Sequence, residues 1–234
     1  MTLSSSAFSS RLPMGARFLL LTLSVVLAAC EQPDPGPEQP QSMTIAEARG
    51  RANGTKVIVE GYVTVQPGTF VSALENEGFA IQDNTGGIYV KLAQKLGFGL
   101  GARVRVTGTL NDEFNVRILE SEPGSVETLS GTQQVEAKDV RTGDVGESTE
   151  GLLVRISAKV TRPINAELPY GYELYVDDGS GEVQVYFHGS AGFDPATLNT
   201  LSEGKTIQVT GLSTQYETTL EVAPRQPSDL EVPL

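Results

Sequence analysis

Residues 79–90 read FAIQDNTGGIYV, and residues 174–185 read LYVDDGSGEVQV. In both stretches, apolar residues alternate with polar ones on each side of a short link that begins with aspartate and contains glycine. Alternation with a period of two is typical of half-buried strands, and a polar link with glycine supplies the positive φ that a tight turn needs. The sequence therefore contains the same strand-turn-strand unit twice.

A second pair of similar stretches follows these units. Residues 101–108 read GARVRVTG, and residues 204–211 read GKTIQVTG. The first pair is separated by 95 residues and the second by 103. Two copies of one domain, the later one with an insertion, explain both separations.

Each copy contains five short runs of alternating apolar residues, which predict five strands. In the first copy the alternating positions are Val57, Val59, Gly61, Val63 and Val65, then Ile81, Ile88 and Val90, then Val104 and Val106, then Val116 and Ile118. In the second they are Val154, Ile156, Ala158 and Val160, then Leu174 and Val176, then Val183, Val185 and Phe187, then Ile207 and Val209, then Leu220 and Val222. Five strands can close into a small barrel, so we predict an all-β fold with two tandem five-stranded barrels.

The insertion in the second copy, residues 193–201, predicts a helical turn. Asp194 is a suitable N-cap and Pro195 suits the first helical position. Leu198 and Leu201 lie three residues apart, on one face, where they could close the end of a barrel. Residues 93–98 form a shorter link in the first copy. Ahead of the barrels, residues 44–48 and 135–140 are lead-in segments, and Thr44 and Glu47 have the spacing of a capping box.

The N-terminus has the layout of a secretory signal, with basic residues Arg11 and Arg17 followed by an apolar run over residues 18–29. The run is too short to span a bilayer. It ends in Leu27-Ala28-Ala29-Cys30, which resembles the lipobox of bacterial lipoproteins. That resemblance implies cleavage before Cys30 and attachment of acyl chains to the cysteine, which anchor the protein in a membrane. The alternative is that Cys30 is an incidental small residue in a signal cleaved elsewhere.

Cys30 is the only cysteine of the sequence, so an internal disulfide is excluded. Lipidation would explain why the sequence contains a cysteine that cannot form an internal disulfide. Glu31 is not the aspartate that retains enterobacterial lipoproteins at the inner membrane, and this family rule favours the outer membrane. Residues 31–42, EQPDPGPEQPQS, hold four prolines and no large apolar residue. They predict an extended tether between lipid and folded domains.

The sequence segments EGYVTV and GARVRVTGTL in the first copy, and EGKTIQVTGL and APRQPSDL in the second, resemble OB-fold domains. They are similar to those that accompany secreted bacterial nucleases and phosphoesterases, and more distantly to the tRNA-anticodon and helicase type. OB-folds bind single-stranded nucleic acids, oligosaccharides and proteins, so the resemblance implies a Greek-key barrel without selecting a ligand. The expected organisation is a signal peptide over 1–29, lipidated Cys30 and tether over 30–42, and OB-folds over 43–130 and 131–234.

The charge of the folded part opposes a nucleic-acid ligand. The whole sequence has a net charge of −12. Residues 43–130 are close to neutral, with 8 basic and 10 acidic residues, whereas residues 131–234 have 7 basic and 16 acidic residues. Contacts to phosphates dominate nucleic-acid affinity, and an acidic surface weakens them.

Side chains that point away from the barrel core on the first three strands of each copy are the candidate ligand contacts. Aromatic rings beside cations could stack bases and hold phosphates, or stack sugar rings. The alternative is that these are ordinary outward-facing strand residues. The candidates are Lys56, Tyr62, Gln82, Tyr89 and Lys91 in the first copy, and Arg155, Lys159, Tyr175, Tyr186 and His188 in the second.

No catalytic or metal-binding motif is present, and we expect no cofactor. His188 is the only histidine, and neither a GxSxG, an HExxH nor a CxxC spacing occurs. Asp177 and Asp178, with Asp83 at the matching place, could ligate calcium through oxygen. The favoured interpretation is that they accept backbone hydrogen bonds and fix the turns.

The sequence thus predicts a non-catalytic, lipid-anchored protein of the cell envelope, in which two OB-folds serve as an adaptor for a protein partner. One alternative is that the first OB-fold binds extracellular single-stranded nucleic acid. Another is that the protein binds glycans.

Overall fold

The structure is a computed structural model that describes residues 40–71 and 76–233. These residues belong to one compact unit that runs from Glu38 to Leu234. The predicted signal peptide, Cys30 and most of the tether lie outside the described residues. In the described part of the chain, no helix is long and apolar enough to cross a membrane.

The described residues form fifteen strands and two short α-helices. The first sheet contains β1 (Gln41–Ser42), β2 (Lys56–Val65), β3 (Phe79–Gln82), β4 (Gly87–Lys91), β5 (Ala102–Glu113), β6 (Val116–Glu120) and β7 (Val126–Thr132), with helix α1 (Ile45–Arg49) between β1 and β2. The second contains β8 (Lys138–Asp139), β9 (Leu153–Val160), β10 (Asn165–Glu167), β11 (Gly171–Asp177), β12 (Val183–His188), β13 (Thr206–Tyr216), β14 (Thr219–Ala223) and β15 (Leu230–Glu231), with helix α2 (Pro195–Leu198) between β12 and β13.

Five strands of each sheet close into a barrel with the same connectivity. The first barrel has the order β2-β3-β4-β6-β5, and β5 pairs back onto β2. The second has the order β9-β11-β12-β14-β13, and β13 pairs back onto β9. In each barrel the third and fifth strands are parallel, β4 with β6 and β12 with β14. The predicted all-β fold with two tandem OB-fold barrels is confirmed.

Most of the alternating apolar residues fill the two barrel interiors, because successive side chains of a strand point to opposite faces. Four do not: on β6 it is Leu119 that lies in the first core, so Val116 and Ile118 point outward, a register shift in β2 turns Val65 away from the core, and Leu220 is exposed. Val57, Val59 and Val63 of β2 lie in the first core, and Val154, Ile156 and Ala158 of β9 lie in the second. The fully buried aromatic rings Phe79 and Phe187 occupy the two cores. Helix α1 contributes to the first core with Ile45 and Ala48, which are both fully buried.

The predicted closure of the second barrel is present. The Asp194 carboxylate accepts hydrogen bonds from the backbone of Ala196 and Thr197, and α2 begins at Pro195. Leu198 and Leu201 are buried in the second core. In the first barrel the shorter link supplies a different closure, in which Phe98 packs edge-on against Phe79 with ring centroids 4.9 Å apart.

The aspartates of the strand-turn-strand units stabilise their turns, as predicted. Asp83 accepts hydrogen bonds from the backbone of Thr85 and Gly86, and its second oxygen accepts one from the backbone of Ile45 at the start of α1. Asp178 accepts hydrogen bonds from the side chains of Ser180 and Thr142, which lower its pKa to about 2. Asp177 accepts backbone hydrogen bonds from residues 179 and 181.

Candidate binding surfaces

The outer face of β3 and β4, where an OB-fold usually binds its ligand, is in contact with the second barrel. Gln82 accepts a hydrogen bond from the backbone of Leu153 across 2.9 Å. A Cβ built on Gly87 would lie 1.9 Å from the carbonyl oxygen of Gly151, so the two backbones are already in contact. Only glycine permits this approach.

An apolar cluster joins the two barrels next to this backbone contact. Ala80 of β3 packs in it against Leu212 and Ala223 of the second barrel, with Tyr89 partly buried at its edge. Phe70, which follows β2, belongs to the same cluster and is 7% exposed. We call these residues, with Val65, the inter-barrel cluster.

Two buried ion pairs extend the contact between the barrels. Arg225 of the second barrel pairs with Asp229 at 2.8 Å and donates a hydrogen bond to the carbonyl oxygen of Thr64 in the first. Glu150 of the second barrel pairs with Arg49 at 2.8 Å and accepts a hydrogen bond from the backbone of Arg117. In each case a charged side chain of the second barrel also bonds to the first barrel, which favours one fixed orientation of the two barrels.

Two aromatic contacts also connect the barrels. Phe70 stacks on His188 with ring centroids 4.5 Å apart, and Phe114 meets Tyr216 at 4.8 Å. Tyr186 touches the His188 ring from the side at 4.8 Å. Because Phe70 and Tyr186 pack against His188 and limit its contact with water, burial lowers its pKa to about 4 and the imidazole is neutral near pH 7.

The five candidate residues of the first barrel therefore lie in different environments. Gln82 and Tyr89 lie at the contact with the second barrel, and burial raises the pKa of Tyr89. Lys91 is paired with Glu113 at 2.7 Å. Lys56 is exposed and Tyr62 is half-buried. The structure does not bring these five residues together on one free surface.

The second-barrel candidates fall into two groups. Arg155 is 3.4 Å from Asp139, and Lys159 is exposed on the same strand, β9. Tyr175, Tyr186 and His188 lie on β11 and β12 and share the outer face of the barrel with Gln184. The ligand-binding role of all ten candidates stays a prediction.

This outer face contains acidic residues that the sequence analysis did not single out. Tyr175 pairs with Gln184 in the β11–β12 register, and Gln184 pairs with Glu221 of β14, so the three residues form one row across the sheet. In the adjacent row, Glu173 pairs with Tyr186. We call these five residues, together with Glu167, the Glu221 surface.

Most polar groups of the Glu221 surface have partners. The Gln184 amide donates to the Tyr175 hydroxyl at 3.1 Å, and the Tyr186 hydroxyl donates to Glu167 at 3.0 Å. The Arg162 guanidinium lies over the Tyr175 ring, 4.2 Å from its centroid. That contact places a cation against one edge of the surface.

Glu221 differs from its neighbours because little of the residue is exposed and its carboxyl oxygens, which still reach solvent, bond to none of the described residues. It is 8% exposed, and among the residues that the structure describes its carboxyl group makes no hydrogen bond or ion pair. Burial raises its pKa to about 8, and the negative charges of Glu173 and Glu167 add to the effect. Its outward position on the last strand follows from the alternation of residues 219–223, but ligand contacts were predicted only on the first three strands of each barrel.

The Glu221 surface is not a preformed metal site. Within residues 40–71 and 76–233, no group of three or more histidine, cysteine, aspartate or glutamate side chains is arranged to hold a metal ion.

Comparison with known proteins gives one relative by sequence and several solved structures. The chain is 27% identical over 206 residues to Endonuclease YhcR of Bacillus subtilis (strain 168), and the match covers 84% of this chain but 16% of that protein. The chain therefore spans about one sixth of the length of this relative. No protein-family model matches the sequence.

The solved structures are similar to less than half of this chain, at low identity. OBody AM3L09 bound to hen egg-white lysozyme is 18% identical, covers 42% of this chain and 96% of its own, and has a TM-score of 0.33. Asparaginyl-tRNA synthetase from Pyrococcus horikoshii is 21% identical, covers 41% of this chain and 22% of its own, and has a TM-score of 0.35. The Stn1–Ten1 complex of S. pombe is 20% identical, covers 35% of this chain and 57% of that one, and has a TM-score of 0.30.

Proposed function

We propose that this chain is a non-catalytic binding module that is lipid-anchored at the cell envelope through Cys30 and docks a basic protein partner on its second barrel. The observation that supports this proposal best is the contact between the barrels. It covers the outer face of β3 and β4 in the first barrel, at Gln82 and Gly87, and leaves the Glu221 surface of the second barrel as the candidate working face.

Charge favours a basic partner over a polyanion at this face. Glu167, Glu173 and Glu221 surround Tyr186, while Arg162 is engaged by Glu182 and the ring of Tyr175. A phosphate backbone placed here would meet carboxylates, and phosphate contacts supply most of the affinity of nucleic-acid binding. Electrostatic complementarity instead speeds association with a partner of opposite charge.

The surroundings of the sequence's only histidine support a binding role over catalysis. A general base must lie within hydrogen-bond reach of the proton that it removes and must have a pKa near the working pH. His188 is stacked on Phe70 and meets Tyr186 edge-on, and its pKa is lowered to about 4. Its ring therefore serves the contact between the barrels.

Single-stranded nucleic acid is the second candidate ligand. The observation that favours it is the similarity to Endonuclease YhcR, a protein whose name indicates action on nucleic acid. In that case Tyr62 and Lys56 of the first barrel would be the contacts, since Tyr89 and Gln82 lie at the contact with the second barrel.

Photo-crosslinking in intact cells tests the two functions together. A photoreactive residue in place of Tyr175 reports on the second-barrel face, and one in place of Tyr62 reports on the first. The proposal requires a protein adduct from position 175. A nucleic-acid adduct from position 62, with no protein adduct from position 175, would replace it with the second candidate.

A binding measurement in solution completes the comparison. We expect a labelled single-stranded oligonucleotide to show no change in fluorescence anisotropy at low salt with micromolar protein. Binding that falls steeply with added salt and is lost in Tyr62→Ala would contradict the proposed function, because each stacked base contributes about 1 to 3 kcal/mol.

A further inference from the structure

The turns that join the last two strands of each barrel, β5 to β6 and β13 to β14, are bonded to each other. The backbone N–H of Glu217 donates to the carbonyl oxygen of Phe114, and the Asn115 amide donates to the carbonyl oxygen of Glu217, both at 2.9 Å. Phe114 and Tyr216 pack together there, with ring centroids 4.8 Å apart, yet they remain 45% and 53% exposed. We call these two residues the aromatic pair.

The backbone that presents the aromatic pair is strained. Phe114, Asn115 and Glu217 have φ angles of 51°, 68° and 53°, and no other non-glycine residue in the described part of the chain has a positive φ. This conformation is unfavourable for a bulky side chain, and asparagine or glycine usually occupies such hairpin turns. An exposed phenylalanine at this position costs stability, which points to a use for its ring outside the fold.

A polar cavity of about 280 Å³ lies at the same turn. Its volume is close to the lower end of the range for small-molecule pockets, about 300 to 1,000 Å³. Asn115 directly follows Phe114, so one turn supplies both a wall of the cavity and an exposed ring. The residues that line the cavity come from both barrels and are Arg49, Asp112, Asn115, Arg117, Glu147 and Glu150.

Glu150 gives the cavity an unused hydrogen-bond acceptor. Its side chain is 3% exposed, and its Oε1 accepts the hydrogen bonds from Arg49 and from the backbone of Arg117. Its Oε2 accepts none from the residues that the structure describes, and this atom is not sealed from solvent. Because Glu150 lines the cavity, a ligand there can donate to Oε2.

The two arginines add donors next to these acceptors. Arg117 pairs with Asp112 at 3.2 Å, and Arg49 pairs with Glu150 at 2.8 Å. A guanidinium has five N–H groups, so each arginine keeps donors for a ligand. Two cations and three carboxylates line the cavity, so a strongly charged ligand of either sign would meet like charge. The lining therefore suits a neutral ligand that both donates and accepts hydrogen bonds.

We infer that the aromatic pair and this cavity bind one neutral pyranose unit of an oligosaccharide. Sugar hydroxyl groups donate and accept hydrogen bonds, and the C–H face of a sugar ring packs on aromatic rings. The C–H face lies on the aromatic pair, while the hydroxyls bond to Glu150 Oε2, Asn115 and Arg117. This site is additional to the proposed protein-docking face and does not depend on it.

Saturation-transfer NMR of the full-length protein, in a detergent without a sugar headgroup, tests the inference. The probes are three neutral sugars, maltotriose, cellotriose and tri-N-acetylchitotriose, with cationic chitosan trimer and anionic trigalacturonate for comparison. We expect at least one neutral trisaccharide to bind with a dissociation constant of about 1 mM, and its ring C–H protons to receive the most saturation.

Variants at the turns distinguish this site from a general sugar-binding surface. Tyr216→Ala should weaken binding about tenfold, whereas Tyr216→Phe keeps the ring and should not. Asn115→Gly suits the positive φ and should weaken binding by removing a polar group from the cavity. Tyr170→Ala is the matched control, since Tyr170 is a tyrosine of similar exposure, 51%, in the turn between β10 and β11.

The inference would be overturned by any of three results. The first is that no neutral trisaccharide binds at about 20 mM. The second is that Tyr216→Ala binds as the wild type does, or that Tyr170→Ala loses as much affinity. The third is tighter binding of a charged trisaccharide, or of a single-stranded oligonucleotide, than of any neutral one. Circular dichroism checks that each variant is folded, and Asn115→Gly decides the outcome if Tyr216→Ala is not.

Discussion

Replacing Glu221 with glutamine should stabilise the protein, and the gain should grow with pH. The pKa of Glu221 is raised from 4.5 to about 8 in the folded protein, chiefly by burial. Because the folded state binds this proton more tightly than the unfolded state, stability is greatest below pH 4.5 and is lost as pH rises through about 8. Glutamine has nearly the shape of the protonated acid and does not titrate.

The size of the effect follows from the two pKa values. Each unit of difference corresponds to about 1.4 kcal/mol, so full ionisation of Glu221 costs the folded state about 5 kcal/mol. Relative to the wild type, Glu221→Gln should be more stable by about 1 kcal/mol at pH 5, about 3 at pH 7 and about 5 at pH 9. A difference of this size exceeds that of most surface substitutions.

Urea unfolding of both proteins at these three pH values, followed by circular dichroism, measures the difference. Glu136→Gln is the matched control, since it removes an exposed carboxylate and should leave the pH dependence of stability unchanged. The reasoning would be refuted by a Glu221→Gln difference that is the same at pH 5 and pH 9. That result would mean that the surroundings of Glu221 do not raise its pKa.

Three further outcomes concern the contact between the barrels and the anchor. Gly87→Ala should lower the free energy of unfolding in urea by about 3 kcal/mol, because its Cβ would lie 1.9 Å from the Gly151 carbonyl oxygen. The control Gly97→Ala, whose Cβ would have nothing within 4 Å, should have no effect. Equal costs for the two variants would contradict the close backbone contact. The lowered pKa of His188 favours the neutral ring, so the wild type should lose about 3 kcal/mol of unfolding free energy as pH falls from 6.5 through about 4. His188→Phe should keep the aromatic stack and abolish this loss. Thermal unfolding that depends on acid pH in the same way for both proteins would argue against this. Cys30→Ser should move the protein from the membrane fraction to a soluble form, and continued membrane association of the variant would exclude the lipid anchor.

Local features of the sequence were sufficient to predict each barrel. The alternating residues of β2 up to Val63 and those of β9 face the cores, the capping box of Thr44 and Glu47 begins α1, and Asp194 caps α2. These features depend on residues a few positions apart, and the internal repeat indicated that the same domain occurs twice. The core contribution of α1 was not predicted, because a five-residue helix shows too little periodicity to identify its buried face.

The contact between the barrels could not be predicted in the same way. Alternation correctly placed Gln82 and Tyr89 away from the first core, but it does not determine what lies against that outer face. Leu153 and Ala223, which contact this face, are distant in sequence and show no local pattern that identifies a partner. The glycines at 87 and 151 allow the approach, yet each also fits an ordinary turn or strand end.

The sequence by itself determined the fold of each barrel, because a strand pattern with a period of two and turns fixed by aspartate and glycine are local properties of the chain. Only the tertiary structure decided which outward side chains are covered and which are available. Glu221 illustrates the difference. Its place on the outer face follows from the alternation along β14. Its low exposure and its raised pKa depend on neighbours that other strands bring to it, because desolvation is determined by all the atoms around a group.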